Sequence, residues 1–174
     1  MTDSIHTTNA DTIIAVPANI PRKEVLLKSN HRTCGDCTKC CDGSLSGVAH
    51  GIRFYRGKPC HFKCETGCGI YKDRPQSPCI DYTCGWLDDK DFAVPEWMKP
   101  SVSNVILDIH PWGEKDSGKA YLRVTEAGAK MDPKVMWWVF AFTQANRLSF
   151  GIQIGGGWNY YGDQEFIDFI EKEE

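Results

Sequence analysis

The sequence predicts an α+β chain: an irregular cysteine-rich lobe, stapled by metal, followed by a small β-β-α-β-α unit. Three observations lead there. Every one of the nine cysteines falls between residues 34 and 84. That same stretch is rich in glycine and proline and poor in apolar periodicity, so it buries little hydrophobic surface by itself. The second half, by contrast, alternates period-two and helix-like patterns with turn residues between them.

The second half is read element by element. Val105, Leu107 and Ile109 alternate with Ile106, Asp108 and His110, a strand signal. Tyr121 to Thr125 gives a second strand, with Gly-Glu-Lys-Asp-Ser-Gly as turn material between the two. Asp132-Pro133 opens a helix, with aspartate as N-cap and proline at the first helical position. The run that follows, PKVMWWVFAFTQANR, is apolar nearly all round at first and is placed as a buried helix. Ser149 to Ile154 reads as a third strand, ended by Gly155-Gly156-Gly157. Asp163 caps a last helix with Phe166, Ile167, Phe169 and Ile170 on one face. The domain reading is an extended or flexible arm over 1–21, the cysteine-rich lobe over 22–100, and the α+β unit over 101–174.

Composition narrows the class. A net charge of -3 argues against broad electrostatic attraction to nucleic acid. A local stripe of Lys28, Arg32, Arg53, Arg56 and Lys58 is what a zinc-stapled nucleic-acid module would have to use. The longest apolar run, Val135 to Phe142, is far too short to span a bilayer. The first residues lack the basic and then apolar pattern of a secretory signal. The expected setting is therefore cytoplasmic and reducing, where clustered cysteines serve metal binding or catalysis more than disulfides. An odd cysteine count points the same way.

The first cluster is Cys34, Cys37, Cys40 and Cys41. In a helix these four fall within an arc of about 120°; in a strand Cys40 and Cys41 point to opposite faces. Adjacent residues chelate one ion only with backbone strain, so later cysteines must complete the ligand sets. Those are Cys60, Cys64, Cys68, Cys79 and Cys84. Zinc takes four ligands from thiolate and imidazole, so eight thiolates serve two ions. Iron–sulfur clusters also take four thiolates, typically spaced C-x2-C-x2-C-x3-C-P. Here the fourth cysteine follows the third directly, which departs from that spacing but leaves room for remote ligands. His31, His50 and His61 flank the cysteines, and His61, beside Cys60, is the best imidazole substitute.

These residues resemble the cysteine-cluster family with the CxxCxxCC signature, the YkgJ-like proteins, described as zinc- or iron-chelating. The matching residues are Cys34, Cys37, Cys40 and Cys41, then Cys60-His61-Phe62, then Cys68-Gly69-Ile70-Tyr71-Lys72-Asp73-Arg74-Pro75, and finally Cys79 and Cys84. The resemblance covers residues 34 to 84 and implies metal binding by Cys34, Cys37, Cys40, Cys41, Cys60, Cys68, Cys79 and Cys84. Two departures stand out. Three residues, not two, separate Arg74-Pro75 from the next cysteine, and Cys64 is extra, so Cys64 and His61 are kept as substitute ligands. A related cluster occurs in flagellin lysine methylase-like proteins, where it is taken to hold an iron–sulfur centre. No glycine-rich fold for a methyl donor accompanies it here.

Three functional readings follow. The first is a binding or assembly module with two structural zinc ions, or iron, whose protein partner is met through the aromatic Trp158 to Tyr161 stretch. The second is an iron–sulfur or iron-dependent enzyme with a reactive centre, in which Arg74 and Tyr71 are the residues to test. The third is the nucleic-acid module. The bland alternatives are that Arg74 caps loop carbonyls and that Tyr71 packs on the metal loops. Gly151 and Gly155 to Gly157 match no phosphate-loop pattern and read as a turn or bulge.

Overall fold

The computed structural model describes residues 32–88, 94–115 and 117–173. The predicted N-terminal arm, His31 and Lys28 lie outside the described residues. Helices and strands are both present, in keeping with an α+β class.

The cysteine-rich segment carries two small antiparallel hairpins: β1 (Gly47–Ala49) with β2 (Ile52–Phe54), and β3 (Lys63–Cys64) with β4 (Gly67–Cys68). The rest is turns, among them wide turns over Cys40–Ser44 and Gln76–Ile80. A short helix α1 (Pro100–Ser103) leads into the sheet, ending on Asn104 in the left-handed region.

The sheet has four strands in the order β5-β6-β7-β8: β5 (Val105–Pro111), β6 (Ala120–Glu126), β7 (Ser149–Ile154) and β8 (Gly157–Tyr161). Only β6 and β7 run parallel, and helix α2 (Pro133–Asn146) makes the long crossover that a parallel pair requires. Asp132 caps α2 as expected, its carboxylate accepting from the Lys134 backbone N–H at 3.0 Å. The Asp163 side chain does the same for α3 (Gln164–Glu173), accepting from Phe166 N–H at 2.9 Å.

Alternation fixes what each face of the sheet does. Leu107, Leu122, Val124, Phe150 and Ile152 point to one face and form the main core with Val135 and Val139 of α2. Trp86, Val94 and Met98 join that same core, so the chain following Cys84 is packed against the sheet. The opposite face carries Asp108, Arg123, Gln153 and Trp158, with Phe166 of α3 covering its Tyr121 and Tyr160 end.

Two expectations need correction. Helix α2 is not buried all round: Val135, Val139 and Thr143 are buried, while Trp137 stays 40% exposed. The apolar run is wider than the face the sheet can cover. The α+β unit also has one strand more than the expected β-β-α-β-α: Trp158 to Tyr161 belongs to β8, giving β-β-α-β-β-α. Ile154 pairs with Gly157, and the two residues between, Gly155 and Gly156, have φ of 60° and 85°. That is a two-residue hairpin turn, for which paired glycines are a standard signal.

Gly155 has open space where a Cβ would sit, so its demand is conformational and not steric. Gly155→Asn, which tolerates positive φ, is expected to leave stability within about 0.5 kcal/mol. Gly155→Val should cost about 1–2 kcal/mol, the left-handed penalty. Denaturant midpoints of the two variants give the comparison.

Candidate metal centre

All nine cysteines are free thiols. Eight of them, Cys34, Cys37, Cys40, Cys41, Cys60, Cys68, Cys79 and Cys84, line one cavity of about 80 Å³. That is well short of the roughly 300 Å³ a drug-sized organic cofactor needs. The eight are those that the sequence singles out.

Local backbone geometry puts each thiol there. Cys34 and Cys37 flank a turn closed by Cys37 N–H to Cys34 C=O at 2.8 Å. Cys40 and Cys41 open the Cys40–Ser44 wide turn, so the first cluster is not one helix. In that turn Gly43 has φ of 99°, and a Cβ there would lie 2.7 Å from the Tyr55 carbonyl oxygen. The Cys60 N–H donates to Cys41 C=O at 2.8 Å. Cys68 sits on β4, whose Gly67 packs so closely that a Cβ would come 2.6 Å from Gly35 C=O. The turn bearing Cys79 meets β1 through Pro78, which leaves no room for a side chain at Gly47. Cys84 is docked on the sheet, because the next N–H, of Gly85, donates to Leu107 C=O at 2.6 Å.

The eight thiols fall into two sets. Cys84 belongs to the main core and Cys40 packs against it. Cys60 belongs to a second core with Ala49 and Phe54, and Cys41 packs against that one. Electrostatics divides the sulfurs the same way. Burial pushes Cys40 up, helped by Cys84, Cys37, its neighbour Cys41, and Cys34. Burial also lifts Cys41, to about 12, with Cys68, Cys60 and Cys79 adding to it. Cys84 is raised by burial to about 11 and feels Cys34 and Cys37; Cys79 is raised by burial and feels Cys60 and Cys68. Packing and electrostatics thus associate Cys34, Cys37 and Cys84 with Cys40, and Cys60, Cys68 and Cys79 with Cys41, while Cys40 and Cys41 also feel each other. Among the described residues, no three or more His, Cys, Asp or Glu side chains already converge as a metal-holding group.

The substitute ligands lie elsewhere. Cys64 is exposed on β3, with its sulfur 3.3 Å from Gly67 C=O and 3.6 Å from the Thr66 hydroxyl. His61 is exposed and packs edge-on against Phe62 at 5.4 Å, while the His50 ring nitrogen meets Asp73 C=O at 2.9 Å. Neither lines the cavity.

Arg74 and Tyr71 both line it. The Arg74 Nε–H donates to Tyr71 C=O at 2.9 Å, and its guanidinium lies 3.8 Å from the Tyr71 ring centre. Arg74 therefore does cap a loop carbonyl. Its charge also reaches Cys34 and Cys79, one thiol from each set, and favours their ionised forms. Burial still leaves Cys34 raised, against Arg74 and a hydrogen bond from Tyr71.

Two further lining residues were not singled out by sequence. Tyr82 donates its hydroxyl to Asp108 of β5 at 2.6 Å, and burial raises both groups. Trp86 is buried, and its indole N–H has no acceptor among the described residues. A buried donor without an acceptor is costly. No sulfur accepts from it among the described residues. A tryptophan two residues beyond the last cysteine was the available signal.

The basic set proposed for nucleic acid is divided. Arg32 is internal: it donates to Glu96, Trp86 C=O and Val94 C=O at 2.8, 2.7 and 2.6 Å. Arg53, Arg56 and Lys58 are exposed. The aromatic stretch is divided as well. Trp158 and Tyr160 stack together at 6.0 Å, while Tyr161 stacks on Phe150 of the opposite face at 4.7 Å. Among the described residues no helix is long and apolar enough to cross a membrane.

Comparison of the chain with protein-family models, with curated proteins and with solved structures finds no match.

Thiol burial makes a statement about pH. Unfolded thiols titrate near 8.5, by reference values, whereas Cys84 and Cys41 keep their protons to about 11 and 12 in the fold. Above the unfolded value the native state binds more protons, so stability falls as pH rises. Metal-stripped protein should therefore unfold at lower denaturant at pH 10 than at pH 7.5. A midpoint that holds or rises would show that thiol burial does not govern alkaline stability.

Proposed function

We propose that this protein binds two metal ions through two four-thiolate centres and serves as a binding or assembly module. Cys34, Cys37, Cys40 and Cys84 hold one ion, and Cys41, Cys60, Cys68 and Cys79 the other. The observation that carries this reading is the single cavity that gathers eight thiols and leaves Cys64 outside it.

The chemistry of the donor set supports zinc. Zinc asks for a closed tetrahedron of soft ligands at about 2.3 Å and needs no cofactor-sized space. Binding draws the sulfurs of each set together and releases their protons, and its free energy then becomes folding free energy for a segment with little core of its own. Each zinc with four thiolates carries two net negative charges, by simple charge count. Arg74, whose field reaches both sets, offsets part of that charge, and the unpartnered Trp86 N–H on the cavity wall is a donor left for a thiolate drawn in by metal. The resemblance to CxxCxxCC proteins supports the same class.

A second reading is favoured by one observation: Arg74 and Tyr71 line the cavity wall itself. An iron or iron–sulfur centre there would have a cation and a hydroxyl beside it, the groups a reactive centre uses.

Metal analysis and a visible spectrum on protein purified without oxygen distinguish these readings. Colourless protein with about two zinc ions per chain is expected, from eight thiolates at four per ion. Brown protein with iron and acid-labile sulfide selects the second reading. Cys64→Ser should keep the full metal content. Cys84→Ser and Cys79→Ser should each lose about one ion, one from each centre. Unchanged metal in both of the latter would sink the assignment.

A further inference from the structure

We infer a second binding site, one that takes no metal: a cleft between the cysteine-rich segment and the β6-β7-β8 face that takes a small oxyanion carrying an N–H donor. The cleft holds about 450 Å³, within the range of small-molecule sites. Ser44 and Arg56 line it from one side, and Arg123, Gln153 and Trp158 from the other.

Gln153 is what makes this a site and not a seam. It is 2% exposed, and its Oε1 is buried without a partner among the described residues. Its Nε2 donates to Gly156 C=O at 3.2 Å. Turning the amide over would set Oε1 against that carbonyl, acceptor against acceptor. The orphan is therefore an acceptor, and it calls for an N–H or O–H. Sheet geometry holds it in place, since Gln153 pairs with Trp158 across β7 and β8.

Charge supplies the other half of the recognition. The Arg123 guanidinium lies 4.6 Å from the Trp158 ring centre. A guanidinium held against an aromatic ring still offers its N–H edge to a carboxylate or phosphate. Arg56 brings a second guanidinium; neither arginine forms an ion pair within 4 Å among the described residues, though the Asp108 carboxylate across on β5 feels the Arg123 charge. The two acids of the lining are engaged, Asp42 by Lys63 and Glu126 by the Gly156 N–H at 3.2 Å. An oxyanion on the arginines with an amine or amide on Gln153 pairs the two guanidiniums and the orphaned Oε1. Amino acids and nucleotides both present that pairing.

Calorimetric titration of the full, metal-loaded chain tests it, with Trp fluorescence as a second readout. The probes are L-glutamate and adenosine 5′-monophosphate, with succinate and inorganic phosphate as partners that lack the N–H. Binding of glutamate alone assigns a carboxylate ligand, and of the nucleotide alone a phosphate ligand. Gln153→Met should cost the N–H-bearing probe about tenfold, one hydrogen bond, and leave its donor-free counterpart unchanged. Arg56→Gln, on the surface, should weaken all bound probes by a similar factor without changing metal content. No saturable binding by either N–H-bearing probe at 10 mM, about the weakest affinity worth assigning, overturns the site. So does equal binding by wild type and Gln153→Met.

Discussion

One peptide bond separates Cys40 from Cys41, and across it the chain passes from one hydrophobic core to another. Cys40 packs with Cys84 on the sheet; Cys41 packs with Cys60 over the first hairpin. Consecutive Cα atoms are fixed about 3.8 Å apart, so the two thiol sets are fixed as neighbours. The surrounding chain is arranged around that constraint. The wide turn at Cys40–Ser44 separates the two side chains, Gly43 lets Tyr55 come close, and the Cys60 N–H closes onto Cys41.

The sheet is the rigid partner of this arrangement. Gly85 hydrogen-bonds to the β5 backbone, and Tyr82 reaches Asp108 on the same strand. Trp86 and Met98 fill the core beneath. Arg32 ties the start of the described chain to three points, the backbone at Trp86 and Val94 and the carboxylate of Glu96. The cysteine-rich segment is thus fastened at both ends, while its middle depends on short turns and thiol packing.

The sequence was readable where interactions are local. Alternation over Val105 to His110 placed β5, and Asp132-Pro133 placed the start of α2, because each signal lies within a few residues of the element it forms. The eight cysteines were readable through motif spacing. Their grouping within the cavity is not legible, since Cys84 feels Cys34 and Cys37 across some fifty residues that only the fold brings together. Arg32 looked like surface charge for the same reason: its partners are 54 to 64 positions away. Strand β8 was missed differently. Gly155-Gly156-Gly157 reads as a strand end, whereas Gly155 and Gly156 reverse the chain and Gly157 opens β8; the alternating aromatics after it are the sign of a returning strand.

The contact between Gly35 and Gly67 carries a consequence of its own. A Cβ on Gly67 would strike the Gly35 carbonyl, so the loop of Cys34 and Cys37 and the hairpin of Cys68 rest backbone on backbone. Those loops serve different thiol sets. On the two-centre reading, ordering one loop removes much of the conformational freedom the other must lose, and linkage makes this help mutual. Loading of one centre then raises the affinity of the other, and a chain deprived of one centre holds its remaining ion more weakly.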